Sequence, residues 1–345
     1  MKRSTCGLLV LVLLHCTTVI STEREKLSKD ALDAFVNGAK IKETIRVVDS
    51  TGRPVAEAVV KVGYEQGSTG KVKVYTGVTD PTGNWTVEGY CSRFANYRIT
   101  KEGYYRTCFE KHLFSRDYAD VNRRISDGRW QPWNPTVDVL LKEKRNPTPL
   151  FLVESRRFIV PMDKSAGIDL VAGDLIHPFG KGLTADIFIH ISPKISSDGH
   201  PGRAHELRIA VPYDDGGLIS LLQDIDSQMK SVYNAPKNGY QQTTTFLRSR
   251  DNTGSGSMYD MAIAQDEYIV FRIRVEKDER GTITKSRYGK IYRMKFGDEG
   301  KDGQTAYVLF DYFLNPTDND INLEWNGSDL TTGRNYDIEA VLRPQ

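Results

Sequence analysis

Apolar and polar residues change period along this chain, and the changes mark out its elements. "LSKDALDAFVNGA" places Leu32, Phe35 and Val36 at helical spacing, behind a capping Ser28 and ahead of Gly38. The spacing predicts a short helix within residues 22–40. From residue 41 the period shortens to two. "IKETIRVVDS" and "VAEAVVKVGY" alternate across a turn cluster. "GSTGKVKVYTGVTD", "NWTVEGY", "NYRITKEGYY" and "TVDVLLKEK" follow at roughly ten-residue spacing, with Gly, Pro, Asn and Asp between them. An antiparallel β-sandwich over residues 41–143 is the expectation, and "RNPTP" within residues 144–150 reads as a linker.

Residues 151–345 are strand-rich again. "ADIFIHISPK", "HELRIAVPY", "EYIVFRIRVEK" and "YVLFDYFLN" read as strands, and "DERG" turns "YIVFRIRVEK" into "TITKSRYGKIYRMKF" as a long hairpin. "LISLLQDIDSQMKSVY" differs. Leu218, Leu221, Leu222, Ile225, Met229 and Val232 fall at helical spacing and predict an amphipathic helix over a sheet face. The expected fold class is therefore mainly all-β, a sandwich followed by a second β-rich domain with one amphipathic helix.

The start of the chain changes what the charge means. "MKR" precedes the apolar run "GLLVLVLL", which is too short to span a bilayer, and "TVIS" supplies a cleavage site after Ser21. Residues 1–21 thus read as a signal peptide, and the mature chain as secreted, periplasmic or on the cell surface, without a membrane span. Acylation at Cys16 is disfavoured because His15 stands where a small residue is needed. The net charge of +2 comes from Lys2 and Arg3, which leaves 45 basic and 45 acidic residues in the mature part. Neutrality without a basic stripe argues against nucleic acid as a partner. Of the four cysteines, Cys6 and Cys16 lie in the leader. Cys91 and Cys108 remain in an oxidising compartment, where a bridge across their short loop is the first expectation and two separate thiols the second.

"VVDSTGRPVAEAVVKV", "GVTDPTGNWTVEGY" and "YRITKEGYY" resemble the carboxypeptidase regulatory-like domain, a small transthyretin-like sandwich. In that pattern Asp49, Gly52 and Pro54 shape one hairpin and Asp80 and Gly83 the next, while Val55, Ala58 and Trp85 enter the core. Glu57 departs from it, standing where Gly or Asn is common. The resemblance covers roughly residues 41–142 and implies a fold but no catalytic residues, since such domains accompany enzymes, transporters and adhesins. The segment after residue 150 is similar to regions that follow this domain in secreted bacterial proteins.

Candidate chemistry is sparse. Trp130 and Trp133 flank Pro132, either as a packing plug or as a platform on which sugar rings stack. His177, His190, His200 and His205 lie near Asp198 and Glu206 but match no zinc spacing. Asp298, Glu299 and Asp302, and Asp318, Asp320 and Glu324, fail the EF-hand register and read as turn residues. Asn84 and Asn326 sit in N-x-[ST] sequons. No nucleophile elbow or phosphate loop is present, so the sequence points to no cofactor, metal or catalytic residue. The expected function is a non-catalytic binding protein, for polysaccharide or a surface protein. A structural subunit of a surface assembly and a hydrolase with its site in the second domain are the alternatives.

Overall fold

Ser28 caps the first helix, as its position requires: its hydroxyl accepts the Ala31 N–H at 3.1 Å. Helix α1 (Lys29–Asn37) ends at Gly38, whose φ of 85° lets its N–H reach the Ala34 carbonyl. The computed structural model describes residues 27–115, 117–195, 201–249, 263, 266–299 and 303–331. The expected leader, with Cys6 and Cys16, lies outside them, as do Asp198, His200 and Asp302. The described residues form a mostly β, all-β fold that separates into two compact units. The first is the chain to Lys144 with Asp226–Gln228, and the second is Arg145–Ile225 with the chain from Met229.

In the first unit the strands are β1 (Ala39–Asp49), β2 (Val59–Gln66), β3 (Lys71–Val78), β4 (Asn84–Cys91), β5 (Phe94–Thr100) and β6 (Thr107–His112). Helix α2 (Tyr118–Arg123), the short β7 (Ile125–Ser126) and β8 (Arg129–Trp130), and β9 (Thr136–Leu141) complete it. One sheet centres on β1, with β4 on one side and β8 and β9 on the other; the second runs β3-β2-β5-β6. Strand alternation decides the packing: Ala39, Ile41, Ile45 and Val47 of β1 meet Val60, Val62, Tyr97 and Ile99 in one core. The sheet is not antiparallel throughout, as the sequence led us to expect. Strands β8 and β9 run parallel to β1, because α2 and the β7–β8 hairpin carry the chain across before it returns. Strand β6 has no clean period in "YYRTCFEKHLF", and both it and α2 escape the sequence reading. The outer edge of β6 is occupied by Asp226–Gln228, with Cys108 N–H donating to the Asp226 carbonyl and Gln228 N–H to that of Arg106, each at 2.8 Å.

Two turns of this unit are chemically alike. Asp49 Oδ1 accepts the N–H groups of Thr51 and Arg53 at 2.8 and 3.1 Å, and Asp80 Oδ1 those of Thr82 and Asn84 at 2.9 and 3.0 Å. Gly52 and Gly83 take φ of 82° and 77° to close them. The D-x-T-G spelling shared by "DSTG" and "DPTG" is thus a turn device.

The second unit contains β10 (Thr148–Pro161), β11 (Ser165–Asp169), β12 (Asp174–Leu175), β13 (Ile187–Ile195), β14 (Pro201–Ala210), β15 (Gly217–Leu222) and β16 (Thr243–Ser249). It continues with β17 (Glu267–Lys277), β18 (Ile283–Glu299), β19 (Thr305–Leu314) and β20 (Trp325–Asp329). A six-stranded sheet, β15-β17-β18-β19-β10-β20, shares a core with a five-stranded one, β12-β11-β13-β14-β16. Phe271, Phe296 and Phe310 are fully buried there, each contributing roughly 1.5–3 kcal/mol. Tyr268, Val270 and Phe313 pack on the other face of the larger sheet, beneath Ala235, Leu323 and Trp325. Burial on both faces explains why "YIVFRI" is a continuous apolar run rather than an alternation. The β17–β18 hairpin turns at Asp278, which accepts Arg280 and Thr282 N–H as Asp49 and Asp80 do.

The expected amphipathic helix at 218–232 is replaced by β15. Residues 218–222 also alternate, and pairing with β17, Leu218 opposite Phe271, satisfies their backbone while burying Leu218. Leu222, Ile225 and Val232 of the supposed apolar face are exposed. Both helices among the described residues lie in the first unit.

Candidate functional site

The two tryptophans separate. Trp130 is 3 % exposed, donates its indole N–H to the Cys91 carbonyl at 2.8 Å and meets Phe114 edge-on at 5.9 Å. No sugar face can reach it, which corrects the platform reading for this residue. Trp133 is half-buried, with the Arg129 guanidinium over its ring at 5.1 Å.

The expected bridge is also corrected, since Cys91 and Cys108 are both free. Cys91 ends β4 inside the core, whereas Cys108 pairs with Arg98 on the solvent side of the other sheet. Alternation sends the two sulfurs to opposite sides of that sheet, where no bridge can close. Burial pushes the Cys91 thiol up to about 12, and it donates to the Phe94 carbonyl.

The remaining sequence candidates scatter. His190 lies 3.4 Å from Asp163, while buried His205 meets Asp298 at 2.7 Å and Glu206 meets Lys194 at 3.3 Å. Asp318 pairs with Arg287, Asp320 accepts Asn322 N–H, and Glu324 accepts the N–H groups of Arg145 and Asn146. Among the described residues no three such side chains converge on a metal position.

Charged groups that the sequence did not single out are buried in both units. Glu43 occupies an inward position of β1, where it accepts the Tyr97 hydroxyl at 2.5 Å and the Lys111 ammonium at 3.1 Å. In the second unit Arg274 donates to both oxygens of Asp186 and to Asp169 Oδ1, while Asp186 Oδ2 also takes the Leu170 N–H and Asp169 Oδ2 takes those of Leu183 and Thr184. Burial raises Asp186 despite Arg274, while for Asp169 the backbone donors prevail over burial and lower it. Every carboxylate oxygen of these networks accepts from a donor of the fold itself, so they read as structural.

An open polar cleft of about 480 Å³ lies in the second unit, lined by Asp214, Asp215, Gly216, Asn238, Gly239, Tyr240, Gln242, Arg272 and Lys277. The turn between β14 and β15 forms one wall and Asn238–Gln242 the other. The walls are tied by Val211 N–H on the Gln242 carbonyl and by a two-way exchange between Leu218 and Gln241. Gly217 permits that approach, since a Cβ there would lie 2.6 Å from the Gln241 carbonyl oxygen. Arg272, projecting from β17 and 9 % exposed, fastens both walls. It donates Nε to the Asp215 carbonyl at 2.5 Å and Nη1 to that of Lys237 at 3.1 Å, and stacks on the Tyr240 ring at 4.4 Å.

The hydrogen bond and charge of Lys277, at 2.5 Å, hold the Asp215 carboxyl below its ordinary value. Gln242 Nε2 donates to the Tyr213 carbonyl. The side chains of Asp214 and Asn238 stand exposed, with no hydrogen bond among the described residues. The stretches "YDDGG" and "KNGYQQ" carry turn residues but no catalytic spacing, which is why the sequence alone passes over them.

No family model matches the chain, and no curated protein matches it. Solved structures that share some of its shape include 3-chlorocatechol 1,2-dioxygenase from Rhodococcus opacus 1CP. That match has 13% identity, a TM-score of 0.25, and covers 34% of this chain and 63% of that one. Catechol 1,2-dioxygenase from Acinetobacter sp. ADP1 matches at 12% identity and a TM-score of 0.23, over 31% of this chain and 53% of that one. The enzyme from Pseudomonas arvilla C-1 matches at 13% identity and a TM-score of 0.23, over 32% and 54%. The chain thus spans less than two thirds of the length of these dioxygenases, at a likeness that bears on neither activity nor substrate.

Proposed function

We propose that this is an exported, non-catalytic binding protein that takes a polysaccharide in the cleft of its second unit. The observation that carries this reading is the pairing of exposed, hydrogen-bonding side chains, Asp214 and Asn238, with the Arg272-backed Tyr240 ring in one cleft. Planar carboxylate and amide groups match vicinal hydroxyls, and an aromatic ring matches the apolar face of a sugar. Catalysis fits the cleft poorly. A general acid needs a carboxyl raised toward neutrality, whereas Lys277 drives Asp215 the other way. In the same proposal the first unit is a domain of the carboxypeptidase regulatory-like type, supported by its Asp49 and Asp80 turns, and serves as a spacer or adaptor.

Affinity electrophoresis of residues 22–345 through gels holding single polysaccharides tests the reading, beside Asp214→Ala/Asn238→Ala. Retardation on at least one gel that the variant loses is expected. Unretarded migration through neutral, acidic and amino polysaccharides alike would overturn it.

A further inference from the structure

Asparagine followed by glycine is open to self-modification, because glycine has no side chain to shield its own nitrogen from the neighbouring amide. The chain holds three such pairs, Asn37–Gly38, Asn238–Gly239 and Asn326–Gly327. Two of them are restrained. Asn37 closes α1, where its Nδ2 donates to Asp33 Oδ1 at 2.6 Å and the Gly38 N–H to the Ala34 carbonyl at 2.9 Å. Asn326 lies in β20, its side-chain oxygen accepting the Ser328 N–H at 2.9 Å, with Gly327 buried. The third pair is free. Asn238 and Gly239 are both exposed, and among the described residues neither the Asn238 side chain nor the Gly239 N–H makes a hydrogen bond. The chain is held on either side of them, by Arg272 on the Lys237 carbonyl and by the Leu218–Gln241 exchange. Glycine is required at 239, since its φ is 96° and a Cβ there would meet Ile219 Cδ1 at 3.0 Å.

We propose that Asn238 is a self-modifying site, where the Gly239 nitrogen closes on the side-chain amide and turns a neutral residue of the cleft into an anionic one. The inference rests on the accessibility of this pair and not on the polysaccharide reading. The Gly239 nitrogen gives its proton to hydroxide and bonds to Asn238 Cγ. The Cγ–Nδ2 bond breaks, and Nδ2 leaves as ammonia after taking a proton from water. Water then opens the five-membered imide. Attack at the former main-chain carbonyl leaves isoaspartate, and attack at Cγ leaves aspartate. One water is consumed and one ammonia released, with no change of oxidation state. Either product removes the amide donors and gives that wall of the cleft an exposed carboxylate, as Asp214 gives the other. At Asn37 and Asn326 the same step must await local opening of the helix end or of β20.

Peptide mapping by mass spectrometry tests this on native residues 22–345 left in warm, mildly alkaline buffer made with heavy-oxygen water. Uptake of heavy oxygen marks conversion during the incubation rather than during digestion. Asn238 is expected to convert first, roughly tenfold faster or more than Asn37 and Asn326, with isoaspartate exceeding aspartate. A parallel incubation in urea removes the restraints on the other two pairs, and the three rates are then expected to draw together. Asn238→Gln, which cannot close a five-membered ring, keeps an amide at the site and is expected to stay unmodified over the same interval. Native conversion at Asn238 no faster than at the other two pairs would overturn the proposal. So would aspartate without isoaspartate, which means direct hydrolysis, or a lead for Asn238 that persists undiminished in urea.

Discussion

Glu43 accepts the Tyr97 hydroxyl at 2.5 Å in the core of the first unit, at a strand position otherwise flanked by Ile41 and Ile45. With Lys111 on its other oxygen, this carboxylate of β1 ties together one side chain from β5 and one from β6. Glu43→Ala leaves a buried hydroxyl and an ammonium without their acceptor, at a cost of about 3 kcal/mol. Tyr97→Phe in the same chain recovers part of that loss. Urea unfolding midpoints of the single and double variants measure both effects, and strict additivity would contradict the coupling.

Acid should act on the first unit through Asp49 and Asp80. Hydrogen bonds from Thr51 lower the Asp49 carboxyl, and those from Thr82 and Asn84 lower Asp80. Both then fold with values below the unfolded value of about 3.9. The stability they add is complete above the unfolded value and is lost as pH falls through the folded ones. Urea melts should therefore weaken below pH ~4, and Asp49→Asn/Asp80→Asn should flatten that limb while lowering stability at neutral pH. An unchanged acid limb would show that other carboxyls dominate.

Thiol chemistry separates the two cysteines. In residues 22–345, Cys108 should react with an aromatic disulfide reagent in the native protein. Cys91, buried and with its thiol pushed up to about 12, should react only after unfolding. Equal native rates would mean that β4 opens locally.

The tryptophans should also diverge. Trp130→Ala removes a buried ring and its hydrogen bond to Cys91, costing about 3–5 kcal/mol. Trp133→Ala should cost about 1 kcal/mol or less. Thermal unfolding of the two variants checks this, and neither should change retardation by a polysaccharide that Asp214→Ala/Asn238→Ala abolishes.

Arg272 is the fastening of the cleft. Arg272→Met keeps the stem but withdraws two donors from the Asp215 and Lys237 carbonyls, for about 2 kcal/mol. Limited proteolysis should then cut first within Asn238–Gln242. Protection equal to that of the native chain would mean that the Leu218–Gln241 exchange suffices alone.

Local rules written in neighbouring residues were legible in the chain itself. Ser28 and Gly38 bound a helix, D-x-T-G closes turns at Asp49 and Asp80, and alternation orders β1 and β2, because each depends on groups a few positions apart. Long-range pairing was not legible. The run from Leu218 to Val232 satisfies a helical period, yet Leu218–Leu222 also alternates, and only the availability of β17 as a partner decides for strand. Likewise Cys91 and Cys108 are close in sequence, but the side of the sheet to which each turns separates them. Trp130 and Trp133 share a motif, and burial divides them. The cleft joins a turn near Asp215, a loop near Tyr240 and the β17 residue Arg272. Its formation rests on backbone approach at Gly217 and on one guanidinium reaching two carbonyls, and these relationships exist only once distant segments have been brought together.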